Sequence, residues 1–442
     1  MADVKPFRGI HYDVNRLENL REVIAPPYDV ISPEAREALY NRHPRNIVRI
    51  DFGKKEEGDA PGSDVYSRAA ALFAEWRSDG TLIRDAAASL YYYEQEFELS
   101  ENRKFVRKGF FGALKLSRFG EGEVFPHERT LSGPKQDRLL LMRATDAQMS
   151  PIFGLYSDPS DAVLNSLRAA ISRPPDMEAI DDLFVRHRAW AISDAEAIRG
   201  AVENMAGKNV FIADGHHRYE TALAFRDEMR VKHGTDPLAA YEYVLAFLCN
   251  MDDEGIIILP THRGIHSLPD FSEKKFLSSV REFLPVECRE GSSEDAMLAV
   301  KKAGKHGKAI AWSAGGNRYY LIVFPELDRF CEKHLSKYPP MLRSLDVMLL
   351  HGFLIEQLLD VSAEAVTAGQ FVKYYKEPAE AARDLVSGAI QAAFFMNAVT
   401  ISEFRDVSLS GHVLPQKSTF FYPKIGTGLI IFSAGPDDKV DG

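Results

Sequence analysis

Cysteine is scarce in this sequence. Its three cysteines among 442 residues, Cys249, Cys288 and Cys331, are far apart, odd in number and outside any CxxC spacing. That excludes a disulfide framework and a thiolate zinc site, and it points to a reducing, cytoplasmic setting. Long apolar runs are also missing. None approaches the roughly 20 residues a membrane-spanning helix needs, and the N-terminus has no basic segment leading into an apolar one. Neither membrane insertion nor secretion is therefore expected. Positive charge is in deficit, with 54 Lys and Arg against 64 Asp and Glu and a net charge of −10. Nucleic-acid partners, which need many Lys and Arg contacts to phosphate, are disfavoured, although a local basic pocket is compatible with this balance. The spacings GxxxxGK[ST], GxGxxG and GxSxG do not occur, so the two standard phosphate loops and the nucleophile elbow are excluded. There is no internal repeat and no low-complexity tract.

What is present is an ordinary globular composition, 45% hydrophobic and 27% charged, long enough for two or three domains. Local patterns predict a mixed α and β fold in two portions. Residues 1–270 read as a mixed-sheet portion with many hairpins, and 271–442 as an α/β portion in which helices and strands alternate. Ala25 to Ile31, with Pro26 and Pro27, reads as extended, and Ser32-Pro33-Glu34 opens a helix. Leu90 to Glu98 and Arg107 to Leu116 read as paired strands about a turn at Ser100 to Arg103. A hairpin is expected from Tyr241 to Met251 and Gly255 to Leu259, a long apolar helix over Leu345 to Leu359, and a β-α-β unit between Val366 and Asn397. Oligomeric state is not legible, because an apolar face such as 345–359 serves equally as core or interface.

Residues 210–223 say most about function. The apolar run Val210 to Ala213 reads as a buried strand, Asp214-Gly215 breaks it, and a helical pattern runs from Tyr219 onward. His216, His217 and Arg218 then fall on the first helical turn, where free N–H groups and the positive end of the dipole favour anions. Three basic residues there oppose the dipole, a cost that a bound phosphate or carboxylate would relieve. The plainer alternative is a capped helix whose basic residues pair with surface acids. Adjacent histidines point about 100° apart on a helix, so a shared transition-metal ion is disfavoured. Asp214 and Glu220 flank the triplet and could hold Mg²⁺ or accept a proton, while Asp214 could equally cap the helix.

Other constellations are weaker when taken singly. His127, Glu128 and Thr130, followed by Lys135, Asp137 and Arg138, crowd polar side chains into an irregular stretch that faces either water or a ligand. Pro260-Thr261-His262-Arg263 follows a predicted strand directly. Pro415-Gln416-Lys417-Ser418-Thr419 and Tyr422-Pro423-Lys424 read as an ordered turn with two lysines.

Taken together, the stretch Ala213 to Ala222, with Pro27-Tyr28-Asp29-Val30, His127-Glu128-Arg129-Thr130, Pro260 to Arg263 and Pro415 to Thr419, resembles the family catalogued as domain of unknown function 1015 over nearly the whole chain. That resemblance implies a phosphorylated three-carbon acid or amino acid as substrate, with a link to serine metabolism. The strand, Asp-Gly-His-His-Arg turn and helix are also similar, over a shorter stretch, to the phosphate-binding turn of the ParB/sulfiredoxin superfamily, which includes free-serine kinases. Carried over by motif, Gly215, His216, His217 and Arg218 would contact phosphate. ATP or ADP with Mg²⁺ is the implied cofactor, and a small anionic metabolite or nucleotide the implied partner. The catalytic carboxylate stays open among Asp29, Glu128, Asp214 and Glu220, with His216 as an acid or base.

Two readings follow from these patterns. One is a phosphotransfer enzyme, a serine kinase or a phosphoserine phosphatase, on a small hydroxylated or phosphorylated metabolite. The other is a nucleotide-gated binding or regulatory protein of the ParB type, which would show a basic helix-turn-helix segment absent here. The joint motif pattern also predicts a single strongly basic pocket in which His127, Glu128, Lys135, Arg138, His262, Arg263 and Lys417 gather around Asp214 to Arg218.

Overall fold

The computed structural model describes residues 2–99, 103–128 and 132–441, with 132–134 described by backbone alone. The expected turn at 100–102, and Arg129 and Thr130, lie outside the described residues. The chain divides into two compact units. The first is Met1–Pro126, Thr130–Ile257 and Pro423–Gly442; the second is His127–Arg129 and Ile258–Tyr422. A single cut at 270 is therefore replaced by one at 257, with two short excursions. The change of texture near 270 marks only the first helix of the second unit, Glu273–Arg281, whereas its strand His262–Ile265 comes earlier.

The first unit is built on a nine-stranded mixed sheet. Its strands are β1 Val4–Lys5, β2 Leu90–Leu99, β3 Arg103–Lys115, β4 Val124–Phe125, β5 Ile152–Tyr156, β6 Met177–Ile180, β7 Arg186–Ile192, β8 Val210–Asp214 and β9 Tyr243–Asn250. Their spatial order is β4-β8-β5-β9-β3-β2-β7-β6, with β1 pairing β3. The pairs β4–β8 and β5–β9 are parallel and the others antiparallel. Strand β9 is buried at every position, as an unbroken apolar run in the middle of a covered sheet should be. The hairpin expected between 241–251 and 255–259 does not form, because β9 is hydrogen-bonded on both sides, to β3 and β5. One face of the sheet carries Phe110, Leu114, Ile152, Val244 and Leu248 under the helices Ala162–Arg168 and Ala195–Met205. The alternate residues put Tyr93, Phe111, Phe153 and Phe247 together on the opposite face. Ser32 caps the helix Pro33–Arg42 as its sequence predicts, but the Pro26-Pro27 stretch turns into a 3₁₀ segment at Tyr28–Val30.

The second unit has a six-stranded sheet. Its strands are β10 His262–Ile265, β11 Val286–Glu290, β12 Lys308–Ser313, β13 Arg318–Phe324, β14 Val372–Tyr375 and β15 Ala392–Phe395, in the order β11-β13-β12-β15-β10-β14. All of these pairs are antiparallel. The expected β-α-β unit forms in split fashion: β14 and β15 flank β10, and the helix Pro378–Ser387 joins them. That helix and Ser293–Ala303 bury Ala296, Val300 and Ala381 against Ala311, Ala393 and Phe395. The single long helix read over 345–359 is corrected to a helical turn at Asp346–Met348 followed by a π-helix, Leu349–Ile355. Periodicity cannot show such a widened turn, because the stretch is mostly apolar and buried around nearly its whole circumference.

Candidate functional site

In the first unit, β8 ends at Asp214, and Gly215 carries the chain into the helix α1, His216–His233. Gly215 has φ +85°, and a Cβ there would lie 2.9 Å from the Arg218 guanidinium carbon, so only glycine fits without displacing Arg218. No side chain caps α1. Asp214 points elsewhere. Its Oδ2 accepts from Arg218 Nη2 at 2.6 Å, and its Oδ1 takes the Lys424 ammonium. Burial pushes the Asp214 carboxyl up, but Lys424 and Arg218 outweigh it and hold the group well below the ordinary carboxylate range. The capping role for Asp214 is thereby corrected: both oxygens belong to cations. Arg218 also donates to the Pro151 carbonyl, which fixes its plane. His216 is buried and His217 half-buried.

Lys424 reaches Asp214 because a buried cation holds its backbone. Arg107, fully buried, stacks over Phe153 at 4.8 Å and donates through Nε to Gln95 Oε1 at 3.0 Å and through Nη2 to the Pro423 carbonyl. Gln95 in turn donates to the Lys424 carbonyl at 3.1 Å. Burial lowers the Arg107 pKa.

Beside this turn lies a small cavity of about 40 Å³, lined by Tyr28, Asp51, Arg138, Ser150, Arg218 and Thr221. An adjoining cavity of about 210 Å³ shares Asp51 and Arg138 and adds Lys55, Tyr66 and Asp137. Arg138 donates to Asp51 Oδ1 at 3.1 Å and to Asp137 Oδ2 at 2.6 Å, and it lies 4.1 Å above the Tyr28 ring. Burial pushes the Tyr28 hydroxyl up to about 12 against the pull of Arg218 and Arg138. Burial likewise raises the Asp51 carboxyl, more than Arg138 lowers it.

Two cations thus share Asp214, and two carboxylates share Arg138. The strongly basic pocket is corrected, on the first unit's side, to one with a modest excess of positive charge: Arg36, Lys55, Arg138 and Arg218 line the two cavities with only Asp51 and Asp137. Lys135 is ion-paired with Glu220. That pairing, and the two cations on Asp214, leave neither carboxylate fitted to hold Mg²⁺. Among the described residues no cluster of three or more His, Cys, Asp or Glu is placed to hold a metal ion.

The remaining motif residues belong to the second unit, where they brace one another. His127 is buried, with Nε2 2.6 Å from Thr419 Oγ1 and its ring 4.9 Å from that of Phe404. Its carbonyl accepts from the Leu414 N–H at 2.8 Å. Glu128 Oε1 accepts from the Lys417 N–H at 3.3 Å, and Lys417 itself sits at φ +57°. Arg263, fully buried, donates to the carbonyls of Thr261 and Lys417 and to His351 Nε2 at 2.9 Å. Burial brings the Arg263 pKa down to about 10. His262 is fully buried against Phe395, and burial pushes it down to about 3. His262 and Arg263 are therefore removed from the phosphate-contacting set: one is a neutral core residue, and the other spends its donors on the loop it supports. Lys417 is exposed and contributes its backbone to this brace.

Sequence reasoning passes over Asp51 and Arg107, and it does not commit to Tyr28 or Lys424. Tyr28 and Lys424 lie within stretches that the motifs mark out. Asp51 and Arg107 carry no local signal, since an Asp ending a short helix and an Arg within a strand are ordinary until their burial is known.

No curated protein matches the chain. Among solved structures it is similar to a conserved hypothetical protein from Pyrococcus furiosus, at 17% identity over 70% of this chain and 92% of that one, with a TM-score of 0.32. A free serine kinase in complex with AMP matches at 14% identity over 70% of this chain and 89% of that one, with a TM-score of 0.31. C-terminally truncated SbnI from Staphylococcus aureus matches at 9% identity over 71% and 86%, also with a TM-score of 0.31. The family model described as "Protein of unknown function (DUF1015)" matches residues 4–348, and the chain belongs to that family.

Proposed function

We propose that this protein is a phosphotransfer enzyme acting on a small hydroxylated or phosphorylated metabolite, a serine kinase or a phosphoserine phosphatase, with a nucleotide as partner in the first case. The observation that supports it is the turn from β8 into α1. A left-handed glycine leads into an eighteen-residue helix that no side chain caps, and Arg218 is held beside its first turn by Asp214. Backbone N–H groups of the first turn, the positive end of the dipole and Arg218 together offer what a phosphoryl group needs.

In this reading Asp214 is a positioning residue. A carboxylate held deprotonated by two cations is a weak base. Asp51, whose raised pKa and place in the cavity beside Arg218 suit proton transfer, is the acceptor for a substrate hydroxyl. No step is assigned to Mg²⁺, since the carboxylates considered for it are already paired.

The test is calorimetric titration of the full chain with ATP, ADP and AMP, with and without L-serine or phosphoserine, followed by ³¹P NMR for turnover. Binding should weaken roughly 10- to 150-fold in Arg218→Ala, the range for losing a charged contact. Asp51→Asn should bind but turn over at least about 100-fold more slowly. Unchanged affinity in both Arg218→Ala and His217→Ala would sink the anion site. Tight binding with no turnover under any substrate pairing would leave a regulatory binder instead.

A further inference from the structure

The second unit contains a cavity of about 320 Å³ that the phosphotransfer reading does not use. Its walls are mainly apolar, with Leu342, Val361, Val366 and Leu414 among them, and Tyr338 and Tyr374 line it as well. One polar group stands out. His351 lies on the π-helix Leu349–Ile355, a form seen mostly as single wide turns near functional sites, and it lines the cavity.

The tautomer of His351 follows from its partner. Arg263 has no lone pair to offer, so His351 Nε2 must be the acceptor of the 2.9 Å bond from Arg263 Nε. Burial and the Arg263 charge hold the ring neutral, which places its one proton on Nδ1. Among the described residues, Nδ1 has no hydrogen-bond partner. Accepting from a guanidinium at Nε2 draws electron density from the ring and makes Nδ1–H a stronger donor. Arg263 has no carboxylate within ion-pair distance among the described residues; it is compensated by carbonyls, His351, the Tyr374 face, 4.7 Å away, and the charge of Glu128 at longer range. The cavity therefore lies beside a buried cation that no carboxylate touches directly.

The cavity walls are held rather than loosely closed. Tyr338 packs on Gly352, where a Cβ would approach its ring to 2.8 Å, and its hydroxyl is taken by Glu356. Glu356 also pairs with Lys337, so the carboxylate on the rim is already engaged. Pro415 and Gln416, from the segment that Arg263 and Glu128 brace, form another wall. Arg263, removed from phosphate binding, thus supports this cavity.

We infer that the cavity is a binding site for a small, largely apolar molecule ending in a carbonyl or carboxylate oxygen, which accepts from His351 Nδ1–H while its body fills the space between Tyr338 and Tyr374. The inference is independent of the phosphotransfer reading, since the two sets of lining residues do not overlap.

Three probes share one body and differ at the tip: 4-phenylbutyrate, 4-phenylbutyramide and 4-phenylbutylamine. Ligand-observed NMR on the full chain should show the acid or the amide binding at least tenfold more tightly than the amine, which has no acceptor oxygen. Val366→Trp, which fills the cavity, should abolish that binding while leaving the thermal midpoint within a few degrees. His351→Met, whose thioether leaves Arg263 a weak acceptor but offers the ligand no donor, should reduce the preference over the amine to less than threefold. Failure of all three probes to bind, binding of the amine as tight as the others, or binding undiminished in a folded Val366→Trp variant would each overturn the inference.

Discussion

Histidine illustrates how far a residue's surroundings decide what it does. His127, His262 and His351 all lie in the second unit, and no two of them act alike. His127 bonds Thr419, His262 fills core against Phe395, and His351 presents a donor to a cavity. His262 gives a measurable consequence. Folded, it takes up its proton only at about pH 3; unfolded, near its ordinary 6.5. The stability it contributes is complete above about pH 6.5 and declines as the pH falls toward 3, with a slope of about 1.4 kcal/mol per pH unit. Urea unfolding at pH 7 and pH 5 should therefore show a smaller loss for His262→Asn than for the parent chain, because Asn keeps an acceptor for the Met396 N–H but has no proton to gain. Equal losses in the two proteins would mean that the histidine is already charged in the fold.

Among the elements, the turn into α1 bears most weight. Gly215→Ala should cost about 1–2 kcal/mol for the left-handed backbone alone. Because its methyl group would meet Arg218, the substitution should also weaken nucleotide or phosphate binding more than that stability loss accounts for. A chemical denaturation curve beside a binding isotherm separates the two effects. The turn is legible in the sequence since all of its signals are local: an apolar run, Asp-Gly and a helical period. Ser32 before Pro33 and the paired strands β2 and β3 are legible for the same reason. Other elements are not. The π-helix hides inside a mostly apolar stretch, and β9 reads as paired with its sequence neighbour, whereas the sheet pairs it with strands about 90 and 130 residues earlier. Within the site, Lys424 is visible as a lysine in a turn, but its bond to Asp214 spans 210 positions and depends on Arg107 and Gln95 holding the backbone beneath it. Arg263 stands out in the sequence and is given the wrong partner there, because a sequence shows that a cation is present and not whether it is buried.

The division of the whole molecule turns on its last twenty residues, Pro423–Gly442, which belong to the first unit although the second separates them from the rest of it. They bring Lys424 and the buried Leu429, Ile430, Ile431 and Phe432, and the Ile431 backbone pairs with Ile10. A chain ended after Tyr422 should therefore lose the native near-ultraviolet dichroism of the first unit, and a synthetic peptide of residues 423–442 added to it should restore the signal. Dichroism that survives the truncation would show that the segment is dispensable to the fold. The same connectivity sets an order of events at the ribosome. Proteins assembled domain by domain usually complete the N-terminal one while the rest is still being made. Here Asp214 emerges with Arg218 but without Lys424, and the backbone that Arg107 will hold does not yet exist. The 165 residues of Ile258–Tyr422 must be synthesised first, roughly 8–33 s at ordinary elongation rates. Throughout that interval the aromatic face of the first sheet lacks its final strap, and the nascent chain has an opening for chaperones that the finished protein no longer offers.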